Sequence, residues 1–266
     1  MSGFTEYRTG ELVLLRSPLF EREGISHAFT TRLGGVSGGA LESLNLRPSV
    51  DSPENIAENL RRVAEAVGFS PERCAATRQV HGAEVRVVAQ DEPAFSPARP
   101  DCDGVVCRLR GHALMSFGAD CVTVLIGDRR TGAAAAVHAG WRGAVAGTVT
   151  RAVETMSREF GSRPEEMIAA IGPAISGERY EVGEEVAQAL IGACGEEDAL
   201  AIMPRRGEKF YPDLRAFAAL RLRRAGVGVT SIDLDTHCTY SEPELFWSHR
   251  RTGDARGVQA AIIVVK

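Results

Sequence analysis

The sequence lacks several features that would assign it to a large class of proteins. No apolar stretch approaches the roughly 20 residues that cross a bilayer, and residues 1–16 include acidic side chains and no continuous apolar segment typical of a signal peptide. There is no basic run, and the net charge of −4 argues against nucleic-acid wrapping. We therefore expect a cytoplasmic protein that binds neither membrane nor nucleic acid.

Cysteine is also scarce, with six among 266 residues. In a reducing cytosol we expect free thiols or metal ligands rather than a disulfide framework.

No long linker, internal repeat or low-complexity tract divides the chain, and a 44% apolar content is enough for a substantial core. We predict a single domain over residues 1–266. The glycine loop at 34–39 does not match the phosphate-binding pattern of a P-loop.

Apolar patterning and capping residues predict the secondary structure. Ser52, Pro53 and Glu54 are typical of a helix N-terminus, and this helix should run to Val67 and end at Gly68. Further helices are expected at 144–160, 183–194 and 213–225, and strands at 85–88, 103–107, 113–117, 122–126, 133–137, 167–171, 227–234 and 257–265. Because strands both alternate with helices and pair locally, we predict an α+β fold with mixed sheets flanked by helices.

Two potential metal ligands lie at the ends of what the pattern predicts to be one β-hairpin. Cys121 precedes the apolar run 122–126, His138 follows the run 133–137, and the segment 128–132 between the runs has turn chemistry. If the runs pair antiparallel, the two side chains face each other within a residue or two of register. Cross-strand Cβ atoms lie about 5 Å apart, so a thiolate and an imidazole could share one zinc ion.

Three interpretations of Cys121 are open from the residues alone. It could be a zinc thiolate, a nucleophile with His138 as its base, or a small buried hydrophobe. The nucleophile would need an orienting acid, and on a strand Asp120 would point to the opposite face. His138 alone could merely cap a strand, but the glycines after it and Cys121 opposite favour a site. A strand, a glycine turn and a helix N-terminus in that order favour anion binding, to which Arg142 would add charge.

A catalytic zinc usually has three protein ligands and one open position. Among six histidines, His81 is the strongest third candidate because it precedes a predicted strand and is followed by Gly82. His112 is expected to be exposed. His237 and Cys238 are adjacent, so both cannot point inward from a strand. Spacing alone does not select His81.

Three motifs together resemble the signatures of the multicopper polyphenol oxidase, or laccase-domain, family. They are Gln79-Val80-His81-Gly82, Ala119-Asp120-Cys121 and Val137-His138-Ala139-Gly140-Trp141-Arg142-Gly143. The resemblance runs nearly end to end, and includes Ser43-Leu44-Asn45-Leu46, Ile171-Gly172-Pro173 and Ser248-His249-Arg250-Arg251. Ala174, Ser241 and His249 depart from the family pattern of cysteine, cysteine and tyrosine, so a further cysteine-based metal site is not expected.

Members of this family are described as purine nucleoside phosphorylases with adenosine deaminase activity. The resemblance implies a laccase-domain or cytotoxic-necrotizing-factor-like fold. It also implies zinc ligands at His81, Cys121 and His138, and as substrates phosphate with adenosine, inosine, guanosine or methylthioadenosine. Six scattered histidines are too few for a multicopper oxidase, so zinc is favoured over copper.

The chemistry of these reactions suggests further residues. Phosphorolysis needs an anion clamp, and arginine forks match phosphate oxygens. The arginine candidates are Arg32, Arg47, Arg142, Arg250 and Arg251, and we expect Arg32, Asn45, Arg142 and Arg250 to bind substrate or phosphate.

Deamination needs an activated water, and zinc lowers the pKa of bound water to about 7. A carboxylic acid must then pass a proton to the leaving ammonia. Asp120 is the expected catalytic acid and Asp103 the alternative. The H-x-E and P-C-x-x-C deaminase signature is absent, so a deaminase here uses another scaffold.

Three other functions are alternatives. Relatives suggest an amidase that edits peptidoglycan precursors. The second alternative is a copper phenol oxidase, and the third is a non-enzymatic zinc protein, whose metal would normally have four protein ligands. The oligomeric state is open.

Overall fold

The structure, a computed structural model, describes residues 3–266, so residues 1 and 2 of the predicted domain lie outside the described part. The strands are β1 Thr5–Thr9, β2 Leu12–Arg16, β3 His27–Thr30, β4 Cys74–Ala76, β5 Val85–Val88, β6 Gly104–Cys107, β7 Ala113–Gly118, β8 Val122–Asp128, β9 Ala134–Ala139, β10 Met167–Ile171, β11 Arg205–Arg206, β12 Lys209–Phe210, β13 Ile232–Leu234 and β14 Gln259–Val264. The α-helices are α1 Pro18–Arg22, α2 Pro53–Val67, α3 Trp141–Ala146, α4 Thr148–Phe160, α5 Glu184–Cys194, α6 Glu196–Ile202, α7 Leu214–Arg224 and α8 His249–Thr252.

Two six-stranded sheets carry the fold. The first has the order β1-β2-β3-β14-β7-β4 and the second β13-β10-β8-β9-β6-β5. Pairing is antiparallel except for β4 with β7 in the first sheet, and β10 with β13 and β5 with β6 in the second. Both sheets are therefore mixed, which confirms the predicted α+β class.

The sheets pack face to face, and helices cover their outer faces. Because successive side chains point to opposite faces of a strand, β8 contributes to two cores. Leu125 packs between the sheets with Phe29 and Ile263, whereas Val124 packs with helix residues such as Met156 of α4. On the outer face of the first sheet, Val63 of α2 lies in a third core. Strands β8 and β9 are thus held on both faces, which makes the hairpin a rigid base for side chains at its ends.

The capping signals correctly predicted α2. The Ser52 side chain accepts a hydrogen bond from the Asn55 N–H, and Gly68 ends the helix with a left-handed φ of 87°. No described helix combines the length and the apolar character that crossing a bilayer requires.

Two predicted elements were wrong in extent. The helix expected at 144–160 is two helices, because Gly147 takes a left-handed φ of 88° between α3 and α4. The strand expected at 227–234 is only β13. It pairs with β10 over three residues, and the preceding residues Val229–Ser231 form a 3₁₀ turn. The sequence patterning also gave no indication of several short elements, namely β1 to β4, β11, β12, α1, α6 and α8.

Candidate metal centre and cleft

The predicted hairpin is confirmed. Strands β8 and β9 pair antiparallel with Thr123 opposite His138 and Val122 opposite Ala139. Cys121 lies one residue before this register, beside the end of β9. The β-hairpin therefore brings Cys121 and His138 together, as their positions in the sequence indicated.

His81 joins this pair from the loop between β4 and β5. One ligand atom each from His81, Cys121 and His138 lies within 4.8 Å of the other two. The two imidazole rings are nearly perpendicular, with centroids 5.0 Å apart. His81 is exposed, Cys121 is partly exposed and His138 is buried. Among the described residues, no fourth histidine, cysteine or carboxylate belongs to this group.

Asp103 fixes the positions of both histidines. Its fully buried carboxylate contacts His138 Nδ1 at 2.8 Å. It also accepts backbone N–H bonds from Val80, His81 and Gly82 at 3.2, 3.0 and 2.8 Å, which hold His81 in its left-handed conformation with φ at 60°. A carboxylate on one ring nitrogen sets the tautomer and leaves the other nitrogen free for a metal.

The electrostatics of the group favour a thiolate. Burial raises the pKa of the Cys121 thiol, but hydrogen bonds with His138 and His81 outweigh burial and bring the pKa to about 6. Burial lowers the pKa of His138, but Asp103 and Cys121 raise it to about 9. Because the thiolate is the form that binds metals, the donor set of one thiolate and two imidazoles fits a zinc-type ion.

Gly140 is a site residue that the sequence reading did not single out. A Cβ at this position would lie 2.9 Å from His81 Cδ2 and 3.0 Å from Cys121 Sγ. The backbone of Gly140 is in an ordinary extended conformation. Glycine is therefore required for space beside the ligands rather than for its dihedral freedom.

We expect Gly140→Ala to weaken metal binding about tenfold or more, because the added methyl group displaces two ligands. Competition with a chelator measures the affinity. Gly38→Ala is the matched control, since Gly38 has a negative φ and open space at its Cβ position. Equal metal affinity in the two variants would show that the ligands do not need the space at Gly140.

Asp120 connects the metal centre to the C-terminal part of the chain. Its carboxylate accepts hydrogen bonds from Thr239 Oγ1 at 2.7 Å, Ser248 Oγ at 3.0 Å and the Arg250 N–H at 2.6 Å. Asp120 lies before β8 with φ at 89°, so the strand argument that placed it on the opposite face does not apply. These contacts position the residue beside Cys121, and its expected role in proton transfer stays a prediction.

A cleft of about 910 Å³ opens beside His81 and Cys121. Its lining is rich in arginine and includes several aromatic rings. The arginines are Arg47, Arg78, Arg99, Arg142, Arg250 and Arg256, and the aromatic side chains are Phe117, Trp141 and Tyr180. Most of these come from segments far apart in sequence, so no local spacing pattern could have grouped them.

The structure separates the four expected substrate-binding residues into two pairs. Arg142 and Arg250 line the cleft. Arg32 does not, because its guanidinium donates to the Glu42 and Pro243 carbonyls and stacks on Trp247 at 3.9 Å. Asn45 is fully buried and donates to Asp51. The contacts of Arg32 and Asn45 stabilise loops and do not place either side chain in the cleft.

Two other expectations can be compared with the structure. His112, expected to be exposed, is only 1% exposed, and its Nε2 lies 2.7 Å from the Asp91 carboxylate. His237 contacts the buried Asp235, and Cys238 accepts a hydrogen bond from the Ser176 N–H. Neither belongs to the metal group.

Comparisons with known proteins agree on one family. Residues 26–266 match the family described as multi-copper polyphenol oxidoreductase laccase. A Deinococcus radiodurans protein named purine nucleoside phosphorylase is 40% identical over 95% of this chain and 92% of its own length. A Mycobacterium tuberculosis protein with the same name is 41% identical over 85% and 87%. The crystal structure of YlmD from Geobacillus stearothermophilus matches all of both chains with a TM-score of 0.92 and 30% identity.

Proposed function

This chain belongs to the multi-copper polyphenol oxidoreductase laccase family, and from that membership we propose that it is a cytoplasmic, zinc-dependent purine nucleoside phosphorylase that also deaminates adenosine. The observation that carries the proposal is a group of three metal ligands at the wall of an arginine-rich cleft. Close relatives named purine nucleoside phosphorylase support the reaction. The substrates are phosphate with adenosine, inosine, guanosine or methylthioadenosine.

The lining of the cleft suits the two substrates. Six arginines face it against two carboxylates, Asp120 and Asp254. Asp120 accepts three hydrogen bonds from its own chain, so the cleft attracts anions such as phosphate. Tyr180, Phe117 and Trp141 offer aromatic faces, and purine bases stack on such faces.

Arg142 is best suited to bind phosphate. Among residues 3–266 its guanidinium donates no hydrogen bond, and it lies over the Trp141 ring at 4.3 Å. The other arginines of the cleft bond to carbonyls or carboxylates. The Arg250 guanidinium, for example, donates to the Glu181 carbonyl. A guanidinium that keeps its fork free can form two parallel hydrogen bonds with phosphate.

The residues divide the work of phosphorolysis. Arg142 would hold phosphate where a phosphate oxygen can form a bond to the sugar carbon as the bond to the base breaks. The base leaves with the electron pair of that bond and takes up a proton to give the free purine. Positive charge develops on the sugar in such reactions, and the bound phosphate stabilises it. His81, Cys121 and His138 would hold zinc, with Asp103 fixing both histidines. When bound, zinc supplies a Lewis acid and lowers the pKa of a water molecule, which deamination requires.

The expected result for Arg142→Ala is a KM for phosphate at least about tenfold higher, since a hydrogen bond between charged groups contributes about 1.5–3 kcal/mol. Adenosine deamination does not use phosphate, so its kcat/KM should fall much less. Steady-state kinetics of both reactions measure the difference. Arg158→Ala is the control, because Arg158 is exposed on α4 and pairs with Glu159. Equal losses of both activities would mean that Arg142 is structural.

Product analysis tests the reaction itself. We expect inosine and phosphate to yield hypoxanthine and ribose 1-phosphate in equal amounts. Turnover of a serine-containing peptidoglycan precursor without any phosphorolysis would instead identify an editing amidase. Turnover of neither substrate by the metal-loaded protein would identify a non-enzymatic metal protein.

A further inference from the structure

A second basic group lines the cleft apart from Arg142. It consists of Arg47, His249 and Arg256, with Asp254 beside them. Arg47 Nη1 donates to the backbone carbonyls of Asp254 and Arg256 at 3.0 and 3.4 Å, and Arg256 Nη2 lies 3.5 Å from His249 Nδ1. These contacts join the start of α8 and the segment before β14 to the loop after Asn45.

The two basic groups have different neighbours. Arg142 and Arg250 both lower the pKa of Tyr180 against the larger effect of its burial, and the Arg250 guanidinium lies 5.3 Å from the Tyr180 ring centre. Burial lowers the pKa of Arg256, and the charge of Arg47 lowers it further. The cleft therefore has two cationic places, one beside Tyr180 and one between Arg47 and Arg256.

Asp120, Cys121 and Asp254 oppose the charge of the second group, but neither of its guanidinium groups has a hydrogen bond to a carboxylate among the described residues. Asp254 is its nearest carboxylate, at 3.7 Å from Arg47 and 4.0 Å from His249. The Asp254 side chain is 83% exposed, and water screens such exposed pairs strongly. Asp254 therefore neutralises little of the positive charge of Arg47 and Arg256.

Arg256 also has an unused donor. Its Nε atom is buried and has no hydrogen-bond partner among the described residues. Leaving a buried donor of a charged group unpaired is unfavourable, so a shift of the Arg256 side chain that lets Nε reach a ligand oxygen would remove this cost. Arg47 and Arg256 each use Nη1 for backbone carbonyls, and their remaining donors, together with an imidazole, match the several oxygens of a phosphate group better than the two oxygens of a carboxylate.

We infer that Arg47, His249 and Arg256 form a second anion subsite, which binds a phosphate group carried by the nucleoside. Nucleoside monophosphates would then be ligands of this cleft. A cleft of about 910 Å³ lies at the upper end of the range for small-molecule sites, roughly 300–1,000 Å³, and has room for a nucleoside and two phosphate groups. The inference rests on the proposed function only for the identity of the nucleoside.

Calorimetric titration of the metal-loaded protein tests the subsite without requiring turnover, so its failure is distinct from failure of the phosphorylase proposal. The probes, each titrated separately, are inosine, inosine 5′-monophosphate and inorganic phosphate, because the proposed activities do not consume inosine when phosphate is absent. We expect the monophosphate to bind at least about tenfold more tightly than inosine. Arg256→Gln should weaken the monophosphate about tenfold or more and inosine much less. Arg158→Gln, outside the cleft, is the control.

Arg47→Gln provides an independent variant, since Arg47 lies on a different segment, and it should shift the two affinities in the same direction. Thermal unfolding of each variant shows whether it is folded. Equal affinities of the wild type for inosine and its monophosphate would overturn the inference. It would also be overturned if Arg256→Gln raised the KM for inorganic phosphate as much as Arg142→Ala does, because the subsite would then hold the co-substrate.

Discussion

Cys121→Ala is expected to remove the bound metal and to lower the rate of phosphorolysis by at least about a thousandfold, since a Lewis acid contributes several kcal/mol to such a reaction. The Cys121 thiolate would be the one anionic ligand among the three residues of the group, and without it two imidazoles would remain. Elemental analysis of the purified variant and its kcat/KM for inosine measure the two effects. Cys194→Ala is the matched control, because Cys194 is buried in α5 and bonds only to backbone carbonyls.

The same variant separates two interpretations that the sequence left open. If Cys121 were a nucleophile and not a ligand, Cys121→Ala would lose activity and keep its metal. Retention of the metal in Cys121→Ala, His81→Ala and His138→Ala alike would refute the ligand set. Loss of metal and activity together in all three supports a shared ion.

Asp103→Asn is expected to lower metal affinity by about 10- to 100-fold, the usual effect of losing the carboxylate behind a histidine ligand. Asparagine has nearly the same shape but no charge. Its amide NH₂ would replace either Oδ1, which faces His138 Nδ1–H and the His81 N–H, or Oδ2, which faces the Val80 and Gly82 N–H groups, and all of these groups are donors. At least one histidine would therefore lose its orientation.

Competition with a chelator gives the metal affinity, and Asp198→Asn is the control because Asp198 is on α6 and pairs with Arg224 at the surface. A purely structural role for Asp103 would lower the thermal unfolding midpoint without changing the metal affinity of the folded protein. That outcome would contradict the positioning role.

The part of the site that the sequence predicted is the part that depends on local geometry. Cys121 and His138 flank one hairpin. The antiparallel pairing of its two strands and the short turn between them determine the distance between the two side chains. The structure confirms that pairing. His81 approaches from a different segment, and its side chain is held in place by Asp103 through backbone contacts, which spacing does not show. The family resemblance, rather than the spacing, indicated His81.

The basic lining of the cleft could not be predicted for the same reason. Arg47 and Arg256 are 209 residues apart in the chain and come into contact only in the fold. Conversely, Arg32 just before the glycine loop at 34–39 was expected to bind substrate, yet its guanidinium donates to the Glu42 and Pro243 carbonyls. A motif shows that a residue matters but not whether it contacts substrate.

In the fold, Gly147 divides a continuous helical pattern because a single left-handed residue reorients the axis.

The most direct measurement of the central claim is metal-dependent phosphorolysis in one preparation. Protein stripped with a chelator is reloaded stepwise with zinc, and hypoxanthine release from inosine is followed with and without phosphate. We expect activity to rise linearly to one zinc per chain and to require phosphate. Phosphorolysis that is complete in the stripped protein, or base release that does not depend on phosphate, would contradict the account.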